Sequence, residues 1–146
     1  MRHSHRTAIT RRTVSLPIRK HLMGQLSNPC KRRLDYGCGK GYDADALGMF
    51  KYDPHFAREE PAGKFDRIYC GYVLNVLDKK EGQEVVDKIK SLLTPGGTAY
   101  IVVRRDMKKG SPNQRKVVLK GDTYTLHDNS KYAIYTLYSD SEVKVK

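Results

Sequence analysis

Apolar residues in this chain fall into short runs separated by glycine- and proline-rich turns, and the runs alternate between strand and helix patterning. Leu16, Leu22, Met23 and Leu26 lie near one face of a helix predicted within residues 14–26. Ser15 is placed as its N-cap and Pro17 in its first turn, and Ser27-Asn28-Pro29 stops it. A first strand runs to Asp35, and residues 43–47 begin a short helix that Gly48 ends. Residues 49–54 read as a second strand, and residues 65–77 as a buried strand with its exit loop. Asp78-Lys79-Lys80-Glu81 is a capping-box pattern. After it Val85, Val86, Ile89, Leu92 and Leu93 recur at helical spacing and predict a sheet-facing stripe. Thr94-Pro95-Gly96-Gly97 ends that helix, and the β-branched run 98–104 reads as a buried strand. Ser111-Pro112-Asn113 marks a loop. Runs at 117–119, 123–126 and 132–138 alternate at period two, and the last two predict a hairpin. Strands interleaved with helices predict an α/β protein: a mostly parallel sheet with a C-terminal antiparallel hairpin.

The most specific stretch is Leu34-Asp35-Tyr36-Gly37-Cys38-Gly39-Lys40-Gly41-Tyr42-Asp43. An acid at a strand end runs into a G-x-G-x-G turn. Glycine there allows φ > 0 and lets the main chain press against a nucleoside. The dinucleotide fingerprint G-x-G-x-x-G differs, because here the last glycine comes one residue early and Asp43 follows. An acidic turn suits a cofactor with a cationic ammonium and no phosphate. S-adenosylmethionine is such a cofactor. Asp53 lies 18 residues beyond Asp35. Nucleotide-binding α/β units place an acid about 20 residues on, where it takes the ribose hydroxyls.

Asp35-Tyr36-Gly37-Cys38-Gly39-Lys40-Gly41, Tyr52-Asp53, Phe65-Asp66-Arg67-Ile68 and Leu93-Thr94-Pro95-Gly96-Gly97 together resemble the class I S-adenosylmethionine-dependent methyltransferases. A closer likeness is to the methyltransferases associated with DNA phosphorothioation. It rests on Arg6-Thr7-Ala8-Ile9, Ser15-x-Pro17-x-Arg19, the 35–39 turn, Tyr52-Asp53-Pro54 and Gly71-Tyr72-Val73-Leu74-Asn75-Val76. The resemblance implies a Rossmann-like fold and S-adenosylmethionine as cofactor. It implies a cofactor site from Asp35, Tyr36, Gly37, Cys38, Gly39, Gly41, Asp43, Asp53, Pro54, Gly71 and Tyr72. Tyr72 and Asn75 sit where relatives place substrate-facing residues, and they are the candidates for chemistry. Asn75 could equally cap its own loop. The chain departs from the family in one respect. Only residues 54–64 separate the second strand from the run at Phe65, where a full fold needs a helix, a strand and a further helix. The fold expected is therefore minimal, shortened between the second and fourth canonical strands. Glu59 and Glu60 are possible stand-ins for the acid that relatives place near the adenine.

Charge adds a second theme. The net charge is +12, and no acid precedes Asp35. Residues 1–34 carry +9, residues 35–103 carry −2, residues 104–120 carry +6 and residues 121–146 carry −1. Two basic segments, 1–33 and 104–120, thus bracket an acidic core. That is the footprint of a phosphate-backbone binder, with DNA or RNA as partner, or else of a solubilising arm and a basic loop. Arg6, Arg11, Arg12, Arg19, Arg104, Arg105, Lys108 and Lys109 are the candidate phosphate contacts. Tyr124, Tyr132, Tyr135 and Tyr138 could pack in strands or stack on bases. Residues 1–13 read as a flexible basic arm, and residues 14–146 as one methyltransferase-like domain. No apolar run approaches the ~20 residues of a membrane span. Three cysteines without metal spacing suit reduced thiols in a cytoplasm. The five histidines show no metal spacing either.

The reading is an S-adenosylmethionine-dependent methyltransferase acting on nucleic acid or a nucleic-acid-associated molecule. The alternative is a protein that binds the cofactor without transferring its methyl group, as accessory, sensor or cofactor-degrading enzyme. The exit loop lacks the Asn/Asp-Pro-Pro-Tyr motif of amino-methylating nucleic-acid enzymes. It also lacks the Pro-Cys nucleophile of cytosine-C5 enzymes, since Cys70 precedes glycine.

Overall fold

A computed structural model describes residues 13–107 and 114–146. Arg6, Arg11, Arg12, Lys108, Lys109, the 111–113 loop and nearly all of the basic arm lie outside the described residues. Chain order is a π-helical turn (Ile18–Leu22) running into α1 (Met23–Leu26), then β1 (Arg33–Tyr36), α2 (Tyr42–Leu47), β2 (Phe50–Tyr52) and β3 (Phe65–Gly71). A 3-10 turn (Leu74–Val76) leads to α3 (Lys79–Ser91) and β4 (Leu93–Arg104). Then come β5 (Leu119–Gly121), β6 (Tyr124–Asp128), β7 (Tyr132–Tyr138) and β8 (Val143–Val145). Six strands form one sheet in the order β2-β1-β3-β4-β7-β6. The first four are parallel, and β7 and β6 complete the sheet antiparallel.

The central strands are covered on both faces, which is why β4 is a continuous apolar run rather than an alternating one. Its Ile101, Val102 and Val103 are all fully buried. Successive residues point to opposite faces, so the strands feed two cores. Ile68, Cys70, Ile101 and Val103 pack with Val85, Val86 and Ile89 of α3. Tyr69, Tyr100 and Val102 pack on the other face with Ile18, Leu22 and Leu26. α3 begins where the capping box places it, with the Asp78 carboxylate accepting from the Glu81 amide at 2.8 Å.

Residues 54–64 contain no helix and no strand; one isolated bridge, Asp53 to Ala57, is all they form. β2 is therefore a sheet edge. Edge strands invite pairing with other chains unless they are blunted. Arg32 ties down the segment beyond it: its Nε donates to the Lys64 carbonyl at 2.8 Å and its Nη2 to the Ala62 carbonyl. Its guanidinium lies 4.5 Å from the ring centroids of both Phe50 and Phe65.

Two local expectations need correction. Ser15 makes no side-chain cap; its hydroxyl meets the Tyr69 hydroxyl at 3.3 Å. The 14–26 helix is irregular, with a π-turn at Ile18–Leu22. The 117–119 run does not join the hairpin sheet. Its last residue opens β5, which pairs antiparallel with β8, a strand not read from the sequence. Gln83 of α3 fixes β8, donating to the Val143 carbonyl at 2.8 Å and accepting from the Val145 amide at 2.9 Å.

Candidate cofactor site

The parallel strands end along one edge, and the turn after β1 closes against the end of β2. Gly37 and Cys38 amides both donate to the Tyr52 carbonyl, at 2.7 and 3.0 Å. Gly37, Gly39 and Gly41 all have positive φ, at 87°, 58° and 87°. A Cβ at these positions would be strained, so the alternation of glycines is a backbone requirement. Asp53 completes the turn from β2. Its Oδ2 accepts from the Gly39 amide at 2.9 Å, and its Oδ1 from the His55 and Phe56 amides at 2.9 and 3.3 Å.

β3 ends in a second constraint. A Cβ on Gly71 would lie 2.6 Å from the Tyr69 hydroxyl, so only glycine fits there. Tyr72 follows with φ 63°, the one non-glycine residue in the left-handed region among the described residues. Holding a bulky residue there costs of order 1–3 kcal/mol, and such strain clusters at ligand sites. The Tyr72 amide donates to the Val102 carbonyl at 2.8 Å, which anchors the strained residue to β4.

Between these two turns lies a cavity of about 410 Å³. Gly37, Cys38, Gly39, Gly41, Asp43, Asp53, Gly71 and Tyr72 all line it, as the sequence reading grouped them. The N-terminal segment roofs one side: Leu16 lines the cavity, and the Ser15 amide donates to Asp43 Oδ1 at 2.9 Å. The acidic end of the cavity is thus Asp43 and Asp53, both buried. The opposite end carries Arg104 from β4, its ion-pair partner Asp106 and Lys131 from the β6–β7 turn, a net positive set, and Lys40 of the glycine turn also lines the cavity. Burial, then the nearby carboxylates of Asp35 and Asp53, push the Cys38 thiol up to about 12, so it is not a nucleophile at neutral pH. Burial also raises the Tyr132 phenol above its ordinary value.

Other expected site residues fall elsewhere. Asp35 is buried on β1 and does not line the cavity. Tyr36 points to the opposite face, because strand side chains alternate, and its ring stacks on Tyr52 at 4.8 Å. Tyr36 and Pro54 border a separate hollow that Glu60 also lines, so neither they nor Glu60 reach the cavity. Asn75 faces neither substrate nor its own loop. It is fully buried; its Oδ1 accepts from the Arg104 amide at 2.8 Å, and its Nδ2 donates to the Arg115 carbonyl at 3.0 Å.

The basic candidates divide as well. Arg19 is exposed, its Nε donating to the Val14 carbonyl at 2.8 Å. Arg105 is committed to the hairpin, pairing with Asp128 at 2.9 Å and donating to the Tyr135 hydroxyl at 3.1 Å. Of the described basic candidates, Arg104 alone lines the cavity. Tyr132 and Tyr135 are buried, whereas Tyr124 and Tyr138 are exposed. Leu16, Gln114, Lys131 and Tyr132 are cavity residues the sequence reading did not assign to a cofactor. They arrive from segments distant in the chain and carry no local signature. Among the described residues no group of side chains could hold a metal ion, and no helix is long and apolar enough to cross a membrane.

No protein-family model and no curated protein matches the sequence. Solved structures do. Mitomycin 7-O-methyltransferase MmcR aligns with TM-score 0.50 at 8% identity, over 71% of this chain and 48% of that one. The chain has the Rossmann-like fold of that methyltransferase. It spans about half of MmcR's length. N-methyltransferase NodS from Bradyrhizobium japonicum WM9, in complex with S-adenosyl-L-homocysteine, aligns with TM-score 0.49 at 15% identity, over 71% of this chain and 75% of that one.

Proposed function

We propose that the chain binds S-adenosylmethionine in the 410 Å³ cavity and transfers its methyl group to a nucleic acid or a nucleic-acid-associated molecule. The observation that carries this reading is the convergence of the glycine turn, the buried acids Asp43 and Asp53 and the strained Tyr72 on one cavity. The acidic end suits the cofactor's ammonium and ribose hydroxyls. The glycine backbone suits the methionine and ribose groups. Cavities of about 300–1,000 Å³ are the usual size for ligands of this class. Methyl transfer asks little more of the protein than alignment of acceptor, methyl carbon and sulfur, because the sulfonium already carries its leaving group. The nucleic-acid acceptor is supported by the +12 net charge, by the basic segments 1–33 and 104–120 and by the basic end of the cavity.

One observation favours the second reading, a cofactor-binding protein without transfer. Cys38 and Tyr132 are both held protonated at neutral pH, and Asp43 and Asp53 already accept backbone hydrogen bonds. Asp106, the third carboxylate lining the cavity, is paired with Arg104 at 3.0 Å, so none of the three carboxylates is without a partner. Incubation with methyl-labelled S-adenosylmethionine and short single-stranded DNA and RNA separates the two readings. Label on the nucleic acid is the expected result. No label, with cofactor binding demonstrated in the same sample, would sink the acceptor assignment and leave the second reading.

A further inference from the structure

We propose that the basic end of the cavity is an oxyanion subsite, which holds a phosphate or carboxylate of the methyl acceptor between Arg104 and Lys131. The inference rests on the reading of the acidic end as the cofactor's place. The two cations come from adjacent strand ends: Arg104 is paired in register with Tyr132, and the Arg105 amide donates to the Lys131 carbonyl at 2.8 Å. Both residues are fixed from behind. Buried Asn75 spends its amide on this strand end, accepting from the Arg104 amide at 2.8 Å and donating to the Arg115 carbonyl at 3.0 Å. Asn129 does the same for the turn, its Oδ1 accepting from the Lys131 and Tyr132 amides at 2.8 and 2.9 Å.

The guanidinium is also oriented. Arg104 Nε donates to Asp106 at 3.0 Å. Among the described residues neither of its Nη groups nor the Nζ of exposed Lys131 donates a hydrogen bond. Two terminal amino groups on a planar fork fit two oxygens of one oxyanion, and a lysine beside them adds a third donor. Gln114 lines the same cavity, and its Oε1 is buried without a hydrogen-bond partner among the described residues. The ligand chemistry is thus an oxyanion. The oxyanion would be anchored at the basic end, and the acceptor atom would face the cofactor.

The test uses the full chain saturated with S-adenosylhomocysteine, titrated with inorganic phosphate and, in parallel, acetate, by calorimetry and amide NMR. Binding that shifts the amides of Arg104 and Lys131, and that weakens about tenfold in Lys131→Gln, is expected. Arg104→Lys keeps the charge but loses the fork, and should cost affinity for both probes. The stronger of the two probes identifies the anion as phosphate or carboxylate. A nucleoside 5′-monophosphate that binds tighter than its nucleoside would extend the phosphate result. Saturable binding without displacement of S-adenosylhomocysteine supports the subsite. Three outcomes overturn it: no binding of either anion, competition between anion and S-adenosylhomocysteine, or loss of S-adenosylhomocysteine affinity in Lys131→Gln. The last two would assign the cations to the cofactor's own carboxylate. Failure of S-adenosylhomocysteine to bind the wild-type chain is a separate result, which would reject the cofactor reading itself.

Discussion

At the scale of single residues, position on a strand decides role more than residue type. Asp35 and Tyr36 are neighbours in the glycine-turn motif, yet one is buried under the turn and the other faces the opposite core. Asp53 shows how an acid proposed to take the ribose hydroxyls can also be structural. Its carboxylate accepts from three backbone amides, and it lines the cavity. Asp53→Ala leaves the half-buried Gly39 amide without its partner. The expected cost is about 1–3 kcal/mol of stability, together with weaker cofactor binding. Asp53→Asn, which keeps one acceptor oxygen, should recover part of both. Denaturant titration read beside calorimetry checks this; unchanged stability in the alanine variant would contradict the turn-closing role. The glycine motif and Asp53 were legible because a backbone requirement leaves a local sequence trace. Asn75 was misread because its partners, Arg104 and Arg115, are about 30 and 40 residues away, and nothing near it in sequence announces them.

At the scale of elements, helix α3 and the four parallel strands were legible from caps and periodicity. β8 was not: three residues, Val143-Lys144-Val145, form a strand by pairing with β5, with Gln83 of α3 bonding both ends of it. The N-terminal segment was read as a helix, but its position as roof of the cavity depends on Asp43, Tyr69 and the hairpin. Its outer contact is a stack of His21 on His127, with ring centroids 4.1 Å apart, and a 3.0 Å hydrogen bond between His21 Nε2 and the Tyr132 hydroxyl. Burial, then the His127 and Lys20 charges, lowers the His21 pKa below 6.5. The neutral ring is therefore favoured in the folded state, and the unfolded chain takes up the proton first. Stability from this contact is full above pH 6.5 and declines as the pH falls through that value. Amides of the segment around Leu22 and Leu26 should exchange faster at about pH 5.5 than intrinsic rates predict from about pH 7.5. His21→Gln should flatten that difference. Equal protection of the segment at both pH values in the native chain would contradict it.

At the scale of the molecule, charge and fold divide the work. The described core is a Rossmann-like sheet whose shortened 54–64 connection is held by Arg32, and the cavity at its strand ends carries the buried acids Asp43 and Asp53 toward β1 and β2 and the cations Arg104 and Lys131, with Asp106, toward β4 and β7. The shortening was legible as a simple count of residues between strands. The anchoring by Arg32 was not, because it joins a residue before β1 to carbonyls before β3 and to rings on two strands. The polarity of the cavity was only half legible: the acidic end lies within one motif, whereas Arg104 and Lys131 meet through β4–β7 pairing. The central claim is that this cavity holds S-adenosylmethionine. Its most direct test is calorimetric titration of the chain with S-adenosylhomocysteine, beside a Cys38→Phe variant that fills the cavity from the glycine turn. The account predicts micromolar binding by the native chain, and at least about tenfold loss in the variant with little change in its unfolding temperature. Absence of binding by a demonstrably folded native chain, or equal binding by both proteins, would contradict it.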